Sequence, residues 1–444
     1  MNILPQVIFI LVFAAAGYVL YKRISFLKRN IFLGKAETRN DQSSERWKTM
    51  ALVAFGQQKM FKRVLPAFLH LLVYVGFIII NLEVAEFIID GIFGQHRIFA
   101  PLLGGAYTFA MNFFELLAVG VMASCLAFLI RRNVTKVPRL TMTELKGWPA
   151  LDANLILVIE IILMVAILTM NATDQLLAEK GTEHYTALGP LFFSGLIKPL
   201  FVNMSEGNLI FVERFAWWFH IIGILGFAIY VTYSKHLHIF LAFPNTWYSN
   251  LKPKGEISNM PEVTNEVNMM LGIPTEGGNE PPAEIARFGA KDINDLSWIN
   301  IMNAYSCTEC GRCTSECPAN ITGKKLSPRK IMMDVRDRAE EVGKSIDDGG
   351  KGLEDGKSLL GDYISKDEIN ACTSCNACVE ACPVNIDPLS IILQMRRYVA
   401  MEESGSPAQW NAMFQNMETS FSPWKFAPSD RFNWAESVKD EEMK

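Results

Sequence analysis

Charge is sparse in this chain. Only 20% of its 444 residues are Asp, Glu, Lys or Arg and 50% are hydrophobic, whereas soluble domains carry about a quarter charged residues. That balance excludes an ordinary soluble protein and implies a membrane part. The net charge is −4 and the second half holds no clustered basic patch, so the electrostatic footprint of a nucleic-acid binder is missing. Histidine is scarcer still, at 6 residues, and no Cys-x-x-Cys-His occurs, which argues against a covalently attached c-type haem. There is no G-x-x-x-x-G-K-[ST] phosphate cradle, no G-x-G-x-x-G after a strand, no flavin motif and no acyl-transfer constellation. Cysteine is confined to two short runs. Of the 9 cysteines only Cys125 lies elsewhere, alone in an apolar stretch, where it is expected to be a small buried side chain.

Those two runs organise the chain. Cys307, Cys310, Cys313 and Cys317 read C-x₂-C-x₂-C-x₃-C with Pro318 following, and Cys372, Cys375, Cys378 and Cys382 repeat the pattern before Pro383. This spacing holds cubane [4Fe–4S] clusters on thiolates, and in two-cluster ferredoxins the fourth cysteine of each run ligates the other cluster. The expected sets are therefore Cys307, Cys310, Cys313 and Cys382 for one cluster, and Cys372, Cys375, Cys378 and Cys317 for the second. Structural zinc also uses C-x₂-C pairs, but needs neither the third spacing nor the proline.

Apolar runs at 4–20, 64–89, 106–130, 155–170 and 209–233 are read as five membrane spans. The first has no basic segment before it and is followed by Lys22, Arg23, Lys28 and Arg29, the pattern of an uncleaved anchor. A sixth run, 188–202, is interrupted by Pro190 and Pro199 and is read as a loop or interfacial segment. Lys and Arg crowd the segments after the first and third spans, while the segment between the second and third holds only Arg97. By the positive-inside rule the N-terminus faces the periplasm, and everything after residue 233 faces the cytoplasm.

Membrane histidines are uncommon and usually functional. His70 lies near the cytoplasmic end of the second span, His220 within the outer half of the fifth, and His238 just past its inner end. His220 and His238 are 18 residues apart. On a continuous helix that is about five turns, or about 27 Å along one face. Electrons leaving the clusters need a carrier in the bilayer, so His70 and His238 are expected to hold a haem b. His220 would hold a second, outer haem with His96 as its partner; His184 is the other histidine on that side. His236 lies on the opposite side of the wheel. Glu83, Glu86, Glu115 and Glu160 fall within or near spans and are candidates for quinone protonation.

The soluble half begins with a Pro-, Gly- and Glu-rich linker whose stretch 275–282 is expected to be flexible. A helix is expected over 293–305. Ser327-Pro328 starts another, with Ile331, Val335 and Ala339 at helical spacing, and Asp387-Pro388 a third to about residue 403. The tail from 404 carries Trp410, Phe414, Phe421, Trp424, Phe426, Phe432 and Trp434, a density that suggests docking on a partner or on the membrane domain.

Residues 1–240 resemble the cytochrome b subunit of respiratory nitrate reductase and the membrane subunit of heterodisulfide reductase. The likeness rests on His70, His220 and Ser234-Lys235-His236-Leu237-His238. Residues 288–400 are similar to the ferredoxin subunit of heterodisulfide reductase, through Ser306-Cys307-Thr308-Glu309-Cys310-Gly311-Arg312-Cys313, Thr322 to Arg329, and Ala381-Cys382-Pro383-Val384-Asn385-Ile386-Asp387-Pro388. The resemblance implies a bacterial inner-membrane oxidoreductase subunit linking menaquinone or ubiquinone to a cytoplasmic partner. That partner would be an electron-transfer flavoprotein or a subunit of Cys-Cys-Gly-domain type, which would carry the flavin or disulfide chemistry. Two departures stand out. The cytochromes place a second histidine ten residues after the first, where this chain has Ile80, and the longer fused relatives continue into a Cys-Cys-Gly domain, whereas no cysteine follows Cys382 here.

The expected protein is all-α: a five-helix transmembrane cytochrome b-like bundle over 1–245, a flexible linker over 246–287, a cytoplasmic α-helical ferredoxin domain with two [4Fe–4S] clusters over 288–403, and a docking tail over 404–444. Its expected role is electron transfer between quinone and a cytoplasmic redox partner. The rival is a membrane-anchored iron–sulfur sensor or assembly scaffold without quinone turnover.

Overall fold

The computed structural model describes residues 3–274 and 287–442. The stretch 275–282, read above as flexible, lies outside the described residues. Among the described residues five helices are long and apolar enough to cross a membrane: α1 (Leu4–Ile31), α2 (Val64–Phe93), α3 (Gly105–Asn133), α4 (Trp148–Glu179) and α5 (Glu206–Val231). Among the described residues there is no strand, only two isolated β-bridges. Large apolar side chains such as Leu11, Phe68, Phe109 and Phe215 point outward, as lipid-facing positions do. Between helices the bundle is filled by Ile80, Val121, Cys125, Ile156, Leu163 and Phe227. Gly76 lets α3 approach α2, since a Cβ there would meet the Val121 side chain at 2.5 Å.

Three spans differ most from their sequence reading, and the fourth runs from Trp148 to Glu179 rather than over 155–170. The first helix does not stop near residue 20 but runs to Ile31, because one face of its last turns, Arg23, Leu27, Asn30 and Ile31, is buried while Lys22 and Lys28 stay exposed. Arg23 donates to Glu340 at 2.8 Å and to the Thr232 carbonyl at 3.2 Å, and Leu27 and Ile31 enter the core of the cysteine-rich domain. Burying two such side chains is worth about 1.5–3 kcal/mol each. The fifth span ends at Val231, and His238 opens a separate helix, α6 (His238–Trp247). The break comes at Ser234, whose hydroxyl accepts the His236 N–H at 3.0 Å and caps a short 3₁₀ turn. His220 and His238 therefore do not share one continuous helix, and the five-turn wheel does not describe them. The sixth run contains a short helix, Phe192–Ile197, tucked against the bundle.

The second half is helical as expected. A 3₁₀ turn at Ile293–Asp295 precedes α7 (Trp298–Tyr305). Ser327 caps α8 (Pro328–Asp347) and Asp387 caps α9 (Pro388–Met401), each accepting an N–H three residues on, as side-chain caps do. Ile331, Val335 and Ala339 face the core with Ile299, Leu359, Ile391 and Met395. The Glu37 carbonyl accepts the Trp298 indole at 2.9 Å, and Lys35 bonds the backbone of Leu296 and Trp298, so the segment after α1 is stitched to this domain. In the tail, helices Ala408–Ser420 and Asn433–Glu442 leave Trp410, Phe414, Phe421, Trp424, Phe426, Phe432 and Trp434 exposed.

Candidate functional site

The two cysteine runs fold into matching loops. Glu309 and Gly311 in the first take φ of +55° and +71°, and Ser374 and Asn376 in the second take +54° and +60°. These left-handed turns aim backbone N–H groups inward. Glu309 N donates to Cys307 Sγ at 3.4 Å, Ser374 N to Cys372 Sγ at 3.4 Å, and Ile386 N to Cys382 Sγ at 3.3 Å. Such donors stabilise thiolate sulfur and tune cluster potential. Gly311 has no room for a side chain, since a Cβ would meet the Arg139 carbonyl at 2.9 Å.

The loops enclose two cavities. Cys307, Cys310, Cys313 and Cys382 line the first, and Cys317, Cys372 and Cys375 line the second, with Cys378 bordering both. The fourth cysteine of each run thus stands with the first three of the other. No three His, Cys, Asp or Glu side chains among the described residues are grouped closely enough for a single metal ion. A tetrahedral zinc would draw four sulfurs to about 2.3 Å from one centre, so four cysteines spread around a wider space suit a polynuclear cluster better. Without metal, burial pushes the Cys307 thiol up to about 12 and the Cys382 thiol up to about 11; metal binding would hold them deprotonated. Cys375 is exposed, while Cys307 and Cys382 are buried.

The first cavity faces the membrane domain. Arg139, in the segment between α3 and α4, donates to the Cys310 carbonyl, and Arg329 donates to the Arg139 carbonyl at 2.6 Å and to Glu144 at 2.7 Å. Arg312 donates to the Lys59 carbonyl at 3.2 Å. Glu309 is buried and pairs with Lys235 and with Arg336, the latter at 2.9 Å. Burial alone would raise the Glu309 carboxyl, but the two cations outweigh it and hold it below its ordinary value.

Close by lie three histidines. The rings of His70 and His238 are 6.3 Å apart, and those of His236 and His238 5.3 Å. His70 Nδ1 donates to Gln57 Oε1 at 3.1 Å, and His238 Nδ1 to the Lys235 carbonyl at 3.2 Å. Each ring thereby keeps Nε2 as its free lone pair, the tautomer that metal-ligating histidines adopt. Burial pushes His238 down to about 4, which keeps it neutral. Imidazole–metal bonds run about 2 Å. Two rings facing one metal therefore stand about 6 Å apart, centre to centre, which fits the observed separation. Gln57 was not singled out from the sequence; nothing marks it there, and its role depends on a turn in which it takes φ of +50°.

The surroundings of His220 and His96 are different. His220 donates from Nδ1 to the Leu163 carbonyl at 3.0 Å, and its Nε2 is buried without a partner. His96 has both ring nitrogens engaged: Nε2 donates to Asp174 at 2.9 Å and Nδ1 accepts from Arg214 at 3.2 Å. In this arrangement it offers no lone pair to a metal beside His220. His184 is exposed. Among the acids, Glu86 accepts from Tyr107 at 2.6 Å and Glu115 from Asn171 at 3.1 Å, so both are structurally satisfied. Both oxygens of Glu83 are buried without a partner.

Comparison with known proteins agrees with this geometry. Residues 306–386 match the 4Fe-4S dicluster domain family. The chain is 26% identical to the probable iron-sulfur-binding oxidoreductase FadF of Bacillus subtilis, over 98% of this chain and 61% of that protein. It is 27% identical to the EtfAB:quinone oxidoreductase of Syntrophomonas wolfei, over 93% of this chain and 57% of that protein. A probable membrane-anchored ferredoxin of Chromohalobacter salexigens is 29% identical over 34% of this chain and 24% of its own length. Subunits C and D of Methanosarcina heterodisulfide reductases also match. The chain thus spans about three fifths of the length of the first two relatives. No solved structure matches. The chain thus joins helices long and apolar enough to span a membrane to a domain that matches the 4Fe-4S dicluster family, and it is similar to iron–sulfur oxidoreductases.

Proposed function

We propose that this protein carries electrons between quinone in the bilayer and a redox partner on the cytoplasmic side. Residues 1–245 form the membrane domain and 288–403 the cluster domain, joined by 246–287, with the N-terminus periplasmic and the clusters cytoplasmic. Cys307, Cys310, Cys313 and Cys382 hold the first [4Fe–4S] cluster, and Cys317, Cys372, Cys375 and Cys378 the second. His70 and His238 would hold a haem b, which would supply one-electron chemistry without proton transfer. His220, with its buried free Nε2, is the remaining candidate ligand on the outer side.

The observation that supports this reading most is the His70–His238 pair, set 6.3 Å apart with both Nδ1 atoms already bonded. Exposure of Cys375 supports electron exchange with the partner at the second cluster. The partner is an electron-transfer flavoprotein or a Cys-Cys-Gly-domain protein, in keeping with a relative named EtfAB:quinone oxidoreductase. The test is a dithionite-reduced optical spectrum of the purified protein, followed by addition of a quinone. A b-type α band that quinone reoxidises is expected. Iron–sulfur absorbance with no haem band overturns the quinone-linked reading and leaves the sensor or scaffold.

A further inference from the structure

Lys235 and Glu309 meet where the two halves of the protein touch, and each is hydrogen bonded onward to a proposed redox ligand. The Lys235 carbonyl accepts His238 Nδ1–H at 3.2 Å. The Lys235 ammonium pairs with the Glu309 carboxylate. The Glu309 backbone N–H points to Cys307 Sγ at 3.4 Å. Two residues thus connect the histidine side of the interface to the sulfur side through hydrogen bonds and covalent links alone, with no gap through space.

The pair is also anchored from both sides. Lys235 Nζ donates to the Pro149 carbonyl at 2.6 Å, and its backbone N–H to Asp152 at 3.3 Å. Glu309 is held from the other flank by Arg336 at 2.9 Å. Lys235, Asp152 and Glu309 are 8%, 2% and 3% exposed. Removing charges this thoroughly from water costs several kcal/mol per ion and often exceeds the Coulombic gain. An apolar contact would glue the domains at lower cost, so the persistence of an ion pair here points to a role in fixing geometry.

We propose that the Lys235–Glu309 pair is the positioning contact that sets electron exchange between the membrane histidine site and the first cluster, the one held by Cys307, Cys310, Cys313 and Cys382. This rests on the functional reading above and adds to it an order: the first cluster is proximal to the membrane and the second is distal. In the exchange one electron leaves the reduced cluster, which rises by one unit of charge. The ferric membrane carrier gains that electron and becomes ferrous. No proton or bond is transferred, and the reverse direction uses the same contact.

The experiment uses the full-length protein in detergent or nanodiscs, with Lys235→Met and Glu309→Gln compared with wild type. Iron, sulfide and haem contents are measured first. Cluster midpoint potentials are then read by EPR titration, and the rate at which haem reduces after rapid cluster reduction is read by stopped flow. Slowing by about tenfold or more, at unchanged cofactor content and with the potential of the second cluster unmoved, is the expected result, and Lys235→Arg restores part of the rate. Wild-type rates in Lys235→Met at full content overturn the proposal while leaving the functional reading intact. Should Glu309→Gln lose the first cluster, Lys235→Met decides alone, because its side chain lies outside the cysteine loops. Wild-type protein without haem overturns the functional reading and this proposal together.

Discussion

His70, on α2, and His238, on α6, stand ring to ring with 6.3 Å between centres. Each ring is oriented by a hydrogen bond on Nδ1, one to a side chain and one to a carbonyl. Replacing either histidine by alanine leaves a five-coordinate site at best. His70→Ala and His238→Ala are each expected to lose most of the b-type absorbance while iron and sulfide from the clusters stay at wild-type levels. Gln57→Leu removes only an orienting bond, so a weaker, partial loss is expected; such outer partners are worth about 10–100-fold in metal affinity. Pyridine haemochrome assays on the three variants check the order.

The crossing of the two cysteine runs makes a separable prediction. Cys382 lines the cavity of the first run and Cys317 that of the second. Cys382→Ser is therefore expected to disturb the cluster beside the membrane domain, and Cys317→Ser the cluster with the exposed Cys375. EPR of the two reduced variants should show complementary losses. The swapped outcome, with Cys317→Ser disturbing the cluster beside the membrane domain and Cys382→Ser the other, would mean that each run keeps its own cluster.

Which features could be read without coordinates follows from how local their physics is. The cysteine runs were legible because thiolate spacing within a loop is set over ten residues, and the caps at Ser327 and Asp387 because one side chain and three backbone units make them. The five spans were legible from hydropathy. The end of α1 was not: Arg23 and Lys28 read as solvated charge, yet Arg23 is 8% exposed against Glu340 and Thr232, partners far away in sequence. The separation of His238 from α5 depends on Ser234 turning its hydroxyl onto the backbone, and nothing in an apolar run reports that choice. His96 looked available for a metal until Asp174 and Arg214 occupied both nitrogens. Those are tertiary contacts that no local pattern records.

Gly311 is the tightest point of the first loop. Its φ of +71° suits glycine, and an added Cβ would lie 2.9 Å from the Arg139 carbonyl and 2.4 Å from Arg329. The first distance is to backbone, which cannot yield without moving the segment that docks the cluster domain on the membrane domain. Gly311→Ala is expected to cost more than the roughly 1 kcal/mol of a left-handed alanine and to lower occupancy of the first cluster selectively. Asn376→Gly, at the equivalent place in the second loop with φ of +60°, is expected to be nearly silent. Iron content and melting temperature of the two variants test the contrast.

Asp334 supplies a pH dependence. Burial pushes its carboxyl up from 3.8 to about 7, against the pull of Lys330 at 2.7 Å. Lys330 also serves Glu368 at 3.0 Å, so one cation is shared by two acids and Asp334 keeps its proton longer than usual. The native state then binds a proton that the unfolded chain releases near pH 3.8. Its contribution to stability is full below that value and is lost as pH rises through about 7. Asp334→Asn is expected to melt higher than wild type at pH 8, by about 1–2 kcal/mol once the lost Lys330 contact is set against the removed penalty. The gap should close at pH 5. Anaerobic thermal scans at both values check the sign.

Arg97 organises the end of the bundle that carries His96. It is 1% exposed, and its guanidinium donates to Asp174 at 2.5 Å, Asn171 at 2.6 Å and Tyr107 at 3.2 Å, while its backbone N–H reaches Asp90 at 2.7 Å. Tyr107 passes the network on to Glu86 at 2.6 Å. Taking one partner out of such a pair leaves a buried charge uncompensated, at a cost of about 3–5 kcal/mol, whereas replacing both partners with apolar groups is often neutral. Arg97→Leu is expected to lower the melting temperature sharply, and Arg97→Leu with Asp174→Leu to recover much of that loss. His96, which donates to the same Asp174, loses its acceptor in the double variant, so recovery should stop short of wild type. A double variant no better than the single one would show that the guanidinium holds the bundle through Asn171 and Tyr107 rather than through charge.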